Sequence, residues 1–369
     1  MQRVLGGALR RREDPAWVTA AHQPLSDAEW TGCSISLLNH GGESIVFRIV
    51  CAEQSLDVVA KCFFRQQSRA NEVKFARLLS KPSSAAAACT RQLSPHQLPK
   101  QLLSELRGAF CKEVLALAPH KRPRFTTPAA CRIPASSLFV SRLQHKLGRM
   151  VTSDHPPLLF RYYDGCLADA IGSSSRSGAC RAQLLGEPFS LQRACGVVLQ
   201  CLRALEAHHR VGVLHGDLKP SNILFCSEGA SQGRAGVQIV LADYGQSLLA
   251  CDYSPNRSFR RGTPTWRAPE VFRPPVRLYQ AAADVYAMGS ALLDLLAGRS
   301  PSRDKLGPER SLSHERRATA LLKPAFVSAT ALCNALLPMI HDDAAQRPAL
   351  QVTLNAVAGL ATRVDNTLI

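Results

Sequence analysis

Residues 213–225 read Val-Leu-His-Gly-Asp-Leu-Lys-Pro-Ser-Asn-Ile-Leu-Phe, a set of chemically active side chains enclosed by two apolar runs. The apolar flanks are built to be buried, so the loop between them is held at both ends and presents Asp217, Lys219 and Asn222. An acid, a cation and an amide at this spacing can share one phosphoryl group. Asp217 can accept a proton from an attacking hydroxyl, Lys219 can offset charge on the group in transit, and Asn222 can hold a divalent metal. The alternative is a polar loop after a helix, for which His-x-Asp-x-Lys-Pro-x-Asn is a long pattern to arise without use.

Downstream, residues 240–245 read Val-Leu-Ala-Asp-Tyr-Gly. An apolar strand ending in an acid and then a glycine places a second carboxylate, Asp243, at a strand end, where it can reach a metal bridging phosphates. Residues 261–270, Arg-Gly-Thr-Pro-Thr-Trp-Arg-Ala-Pro-Glu, resemble the close of a protein-kinase activation segment. With these three motifs in order, the chain resembles a eukaryotic protein kinase domain of the serine/threonine type over roughly residues 33–361. The resemblance implies an α+β, bilobal fold, with a small N-lobe antiparallel sheet plus helix and a larger helical C-lobe. It also implies ATP and Mg2+ as cofactors. The expected division is an extension at 1–30, an N-lobe at 31–163 with an insertion at about 65–98, a C-lobe at 164–362 and a tail at 363–369.

In the expected N-lobe, residues 35–38 and 45–50 read as strands around a turn containing Gly41 and Gly42. This turn resembles the loop that covers the phosphates, with Val46 over the adenine; Asn39 and Ser44 stand where the family usually has its first and third glycines. The next strand, 56–64, carries a single cation, Lys61, which is costly in a buried strand unless paired. By resemblance Lys61 serves the α- and β-phosphates and Ala60 meets the adenine. Two glutamates compete as its partner. Glu72 follows Lys61 closely, leaving little chain for a connection and a helical turn, whereas Glu113 lies on a run whose Leu103, Leu106, Phe110, Val114 and Leu117 share one helical face. Glu113 is the preferred partner, with Glu72 turned to solvent in the insertion. Residues 137–143 read as a strand. Residues 157–165 resemble the strand leading into the hinge, with Phe160 as gatekeeper and Tyr162 within the backbone that meets adenine.

In the expected C-lobe, the Ser/Gly-rich residues 172–188 read as an exposed loop. From Phe189, the stripe Leu191, Ala194, Val198, Cys201, Leu202 and Leu205 predicts a helix that ends by Val211 and Gly212. Leu224 resembles the floor of the adenine pocket. Residues 281–297 resemble the family's central helix, in which Asp284 braces the catalytic loop, and Arg347 resembles the partner of Glu270. Thr263 is implied to bond Asp217 and Lys219. Gly216 occupies a position where many kinases carry an arginine that holds an activation-loop phosphate. Its lack of a side chain implies activity independent of such a phosphate, leaving Arg257, Arg260 and Arg261 to face an acidic or phosphorylated protein substrate.

The formal net charge of +17 fits acidic partners, but no basic run is interleaved with aromatics, so specific nucleic-acid binding is not expected. The thirteen cysteines are scattered and never spaced Cys-x-x-Cys, which argues against a zinc site or a disulfide framework. No stretch reads as a signal peptide or a membrane span, so the expectation is a soluble protein, cytoplasmic by default. Oligomeric state is not legible. The residues after Lys61, the His-Gly-Asp form and the turn at residues 124–128 also resemble apicomplexan rhoptry-type kinases, for which a longer, secreted precursor is implied. A pseudokinase scaffold is the rival reading: the eroded glycine loop favours it, and intact Lys61, Asp217, Asn222 and Asp243 oppose it.

Overall fold

The computed structural model describes residues 34–40, 44–51, 56–63, 65–79, 158–227, 237–251, 262–271, 279–298 and 329–366. The chain divides into two compact units, one of Met1–Val73 with Arg91–Tyr162 and the other of Lys74–Thr90 with Tyr163–Ile369. A small antiparallel sheet with the start of a helix, as far as Val73, in the first, and the rest of that helix from Lys74 with mostly helical structure in the second, give the α+β class expected of a protein-kinase-like fold.

In the first unit, β1 (Ser34–His40), β2 (Ser44–Cys51), β3 (Leu56–Phe63) and β4 (Leu158–Arg161) form one antiparallel sheet in that order. Residues directly opposite one another share a face. Val46 and Leu158 lie opposite Lys61, and Arg48 and Phe160 lie opposite Val59, so these six residues are on one face. There Phe63, Leu158 and Phe160 form a buried cluster against which Val59 and Val73 pack. Ala60 corrects an expectation. It is one residue from Lys61 and opposite Phe47, so it belongs to the other face, where Phe47, Ala60 and Cys62 are buried. Val59, two residues before the lysine, shares the Lys61 face, and counting the Val-Ala-x-Lys spacing back from the lysine would have found it.

Helix α1 (Gln66–Leu79) follows β3 almost at once, and this overturns a second expectation. Glu72, not Glu113, is the carboxylate paired with Lys61, with Oε2 3.1 Å from Nζ. The connection is so short that Glu72 reaches the second helical turn. Far from facing solvent, it is 1% exposed. Residues 66–79 are therefore the helix that carries the lysine's partner rather than part of an insertion. Glu113, Gly41, Gly42 and the strand read at 137–143 lie outside the described residues.

In the second unit, residues 172–188 are not a loop: α2 (Ser175–Leu185) occupies most of them. Its serine-rich start is a cap. Ser174 accepts a hydrogen bond from the Ser177 N–H at 3.1 Å, and Leu184 and Leu185 are buried. Helix α3 (Leu191–Arg210) buries the predicted stripe from Ala194 to Leu205, with Leu191 partly buried, and is capped by Val211. The Gln200 amide crosses from it to the sheet edge, donating to Val237 O at 2.7 Å and accepting from Ile239 N at 3.0 Å. The sheet there has the order β5 (Gly165–Cys166), β7 (Ile223–Ser227), β8 (Val237–Leu241).

Helix α4 (Ala281–Ala297) is buried on all sides from Ala283 to Leu296, as an almost uniformly apolar helix must be. The segment before it is tied down by two polar anchors. Trp266 Nε1 donates to Asp294 Oδ2 at 2.9 Å, and the Arg347 guanidinium meets both Glu270 oxygens at 2.7 Å while also donating to Ala282 O and His341 O. The expected Arg347–Glu270 pair is thus a two-pronged, largely buried contact. Helices α5 (Thr330–Leu336) and α6 (Leu350–Asn366) complete the core through Leu332, Leu336, Leu354 and Val357.

Candidate active site

The 213–225 stretch folds around a short ladder, β6 (Val213–Leu214) paired with β9 (Leu248–Leu249), which fixes the start of the loop. Asp284, in the first turn of α4, then clamps it by accepting from His215 N at 2.7 Å and Gly216 N at 3.1 Å. The bracing expected of Asp284 is present, with two partners the sequence reading missed. His209 Nε2 lies 3.1 Å from Asp284 Oδ2, and the Tyr279 hydroxyl donates to Oδ1 at 2.7 Å. Burial pushes the Asp284 carboxyl up, but His209, His215 and Tyr279 outweigh it and hold it below its ordinary value. Burial, then the Asp284 charge, drives the Tyr279 phenol well up.

On the braced loop, Lys219 Nζ donates to Asp217 Oδ2 at 2.7 Å and to Thr263 Oγ1 at 3.1 Å, while the Thr263 hydroxyl donates to Asp217 Oδ1 at 2.7 Å. This closed triangle leaves Asp217 only 11% exposed and fixes both of its oxygens. Asn222 donates through Nδ2 to Asp217 O at 2.8 Å, which leaves its oxygen as the acceptor end. Its backbone carbonyl accepts from Ala242 N at 2.9 Å, bringing the 240–245 segment alongside. The next residue, Asp243, has φ 71 and ψ 76, the one non-glycine with positive φ among the described residues. That conformation costs a non-glycine residue roughly 1–2 kcal/mol, so its surroundings must impose it.

Two buried histidines lie behind this strand end. His215 Nε2 lies 3.0 Å from Ala242 O, and His208 packs against Tyr244 with ring centroids 5.7 Å apart. Burial, then the His215 charge, lowers His208 from 6.5 to about 4, and burial also lowers His215. Unfolded chains therefore bind a proton near pH 6.5 that the folded protein refuses until about pH 4. Stability is complete above that window and falls as pH drops through it, by about 3 kcal/mol at its acid end for His208 alone. Asp284, held low, adds a loss at still lower pH. Urea midpoints should be clearly lower at pH 5 than at pH 7.5; equal midpoints would contradict neutral burial of His208.

In the first unit, the Lys61–Glu72 pair is nearly dry, at 10% and 1% side-chain exposure, and the ammonium lies 4.9 Å from the centre of the Phe63 ring. Val46 is half-buried on the same face, Phe160 is buried in the apolar cluster, and the Arg48 guanidinium stacks 3.6 Å over the Tyr162 ring. In the second unit, Leu224 packs with Tyr163, Cys226 and Val240. The residues that sequence reasoning missed are Val59, His208, His209 and Tyr279. The signal for the histidines was a polar pair at the end of an otherwise apolar helical stripe.

Gly216 has φ +81, and a Cβ built on it would stand 2.4 Å from the Gln246 carbonyl oxygen. A side chain here meets both backbone strain and a fixed backbone atom. Gly216→Ala should therefore cost at least about 2 kcal/mol of stability and displace the neighbouring Asp217. Thermal unfolding checks this, and a wild-type Tm would contradict it.

Residues 177–356 match the family model described as the protein kinase domain. Similar curated proteins include the serine/threonine-protein kinase unc-51 of Caenorhabditis elegans, 34% identical over 34% of this chain and 14% of its own length. An Aurora kinase of Dictyostelium discoideum is 29% identical over 60% of this chain and 56% of its own, and the C. elegans serine/threonine-protein kinase cst-1 is 30% identical over 38% and 26%. The chain thus spans little more than half of the Aurora kinase and much less of the other two. The matches support a eukaryotic-type protein kinase domain over residues 177–356, the stretch that holds the braced loop and its Asp217–Lys219–Thr263 triangle.

Proposed function

We propose that the protein is an ATP- and Mg2+-dependent kinase that transfers the γ-phosphoryl group to serine or threonine hydroxyls of a protein substrate. The observation that carries this reading is the triangle of Asp217, Lys219 and Thr263, because it joins the proton acceptor to the segment that presents a polypeptide. In this reading Asp217 takes the proton of the attacking hydroxyl. Lys219, already oriented by two oxygens, offsets charge on the phosphoryl group as it moves. In the first unit, Lys61 is the cation for the α- and β-phosphates and Glu72 fixes it. Val46, Val59, Phe160, the backbone at Tyr162 and, in the second unit, Leu224 are assigned to the adenine.

The donor set fits a small hard cation. Asn222 offers an amide oxygen and Asp243 a carboxylate, and the Ala242 N to Asn222 O hydrogen bond fixes their segments side by side. Mg2+ is commonly held by one or two such protein oxygens together with phosphates and water. Bound there, the metal would neutralise phosphate charge. Among the described residues no cluster of three His, Cys, Asp or Glu offers a site of another kind.

The net charge of +17 supports an acidic or phosphorylated protein substrate; Arg257, Arg260 and Arg261, assigned to it, lie outside the described residues. Gly216 in place of an arginine supports activity without activation-loop phosphorylation. Among the described residues no helix is long and apolar enough to cross a membrane.

Thermal-shift titration with ATP tests the reading. Stabilisation that needs Mg2+ and grows with the logarithm of ATP concentration is the expected result. No shift at millimolar ATP with Mg2+ would overturn the reading in favour of a scaffold.

A further inference from the structure

Asp243 holds a conformation that a non-glycine residue resists, and the structure shows what restrains it on either side. Before it, Ala242 is fixed through both backbone groups, its N–H to Asn222 O at 2.9 Å and its carbonyl to His215 Nε2 at 3.0 Å. After it, Tyr244 is wholly buried, and its ring packs with Phe75, Leu79 and Val213. The Tyr244 hydroxyl sits between two partners, Leu241 O at 2.8 Å and His208 Nε2 at 3.3 Å.

The proton positions follow from the acceptors. Ala204 O, 2.7 Å from His208 Nδ1, can only accept, so Nδ1 carries the hydrogen. A neutral His208 then has a bare lone pair on Nε2, aimed at the Tyr244 hydroxyl. That hydroxyl has one hydrogen and two acceptors, so histidine and carbonyl share it. Both residues are 0% exposed, so bulk solvent does not reach the hydroxyl. The side chain after Asp243 is therefore tethered at its tip to helix α3 and at the same time to the strand residue two before Asp243.

We propose that His208 is a positioning residue which, through the Tyr244 hydroxyl, holds Asp243 in its left-handed conformation and so aims its carboxylate at the metal. This rests on the reading of Asp243 as a metal ligand. A phenylalanine and an aliphatic residue would pack in the same volume; the polar pair adds direction.

The test compares wild type, Tyr244→Phe, His208→Leu, His208→Gln and the His208→Leu/Tyr244→Phe double variant, measuring kcat, KM for ATP, the Mg2+ concentration for half-maximal rate, and Tm. Tyr244→Phe and His208→Leu should each raise the half-maximal Mg2+ concentration by about three- to tenfold, the scale of one directed hydrogen bond, with a much smaller change in kcat at saturating Mg2+. The double variant should shift it no further than Tyr244→Phe alone, because both act through one hydroxyl. His208→Gln, whose amide oxygen can accept from that hydroxyl, should recover most of the loss. An unmoved Mg2+ dependence with a lowered Tm, or shifts that simply add, would overturn the positioning role while leaving the kinase reading intact. If Tyr244→Phe does not fold, the contrast between His208→Leu and His208→Gln decides. A wild-type protein with no metal-dependent transfer would overturn the kinase reading, and the positioning role with it.

Discussion

Asp217→Asn is expected to lower the phosphotransfer rate by about 10²–10⁴-fold, the range of a general base, while leaving the fold and nucleotide affinity nearly unchanged. Asparagine has the same shape, and its oxygen can still accept from Lys219 or Thr263, so the triangle loses its basicity before its geometry. Asp243→Asn should abolish transfer by a different route. Asparagine tolerates the left-handed conformation better than most residues, so the strand end should keep its path. Without the carboxylate, however, nucleotide binding should lose its dependence on Mg2+. Titration of both variants with ATP, with and without Mg2+, separates the two roles. Equal loss of nucleotide affinity in both would refute the assignment.

The second large effect is on stability. Asp284→Ala removes the acceptor of two buried backbone N–H groups, His215 and Gly216, and leaves His209 and Tyr279 without that carboxylate. Breaking a buried, multiply bonded charge costs on the order of 3–5 kcal/mol. In a domain of this size that is a fall in Tm of roughly 10 °C. Activity should be lost as well, because the clamped residues lie next to Asp217. Circular dichroism during heating measures the first effect, and a Tm within a degree or two of wild type would show that the clamp is dispensable.

Much of this site was legible in the sequence because its parts are local. Asp217, Lys219 and Asn222 lie on one short loop, and the apolar runs on either side announced that it was anchored. Long-range partners were legible where a motif carried them, as with Thr263, Asp284 and the Arg347–Glu270 pair. The misreadings have physical causes. Glu72 is hard to read as the partner because its short spacing from Lys61 leaves little chain for a connection, yet α1 begins at Gln66, close after β3 ends at Phe63. Ala60 was placed on the wrong face although strand alternation alone puts Val59 beside Lys61. Residues 172–188 looked like a loop by composition, yet a serine cap and two terminal leucines were enough to fold a helix. The His208–Tyr244 contact joins residues far apart in the chain, and no short pattern encodes it.

Transfer of labelled γ-phosphoryl from ATP to an acidic test protein, measured in Mg2+ with wild-type protein and Asp217→Asn side by side, tests the central claim most directly. The account predicts phosphoserine or phosphothreonine in the wild-type reaction, lost on chelation of Mg2+ and near background for the variant. Wild-type transfer no greater than that of Asp217→Asn would contradict it.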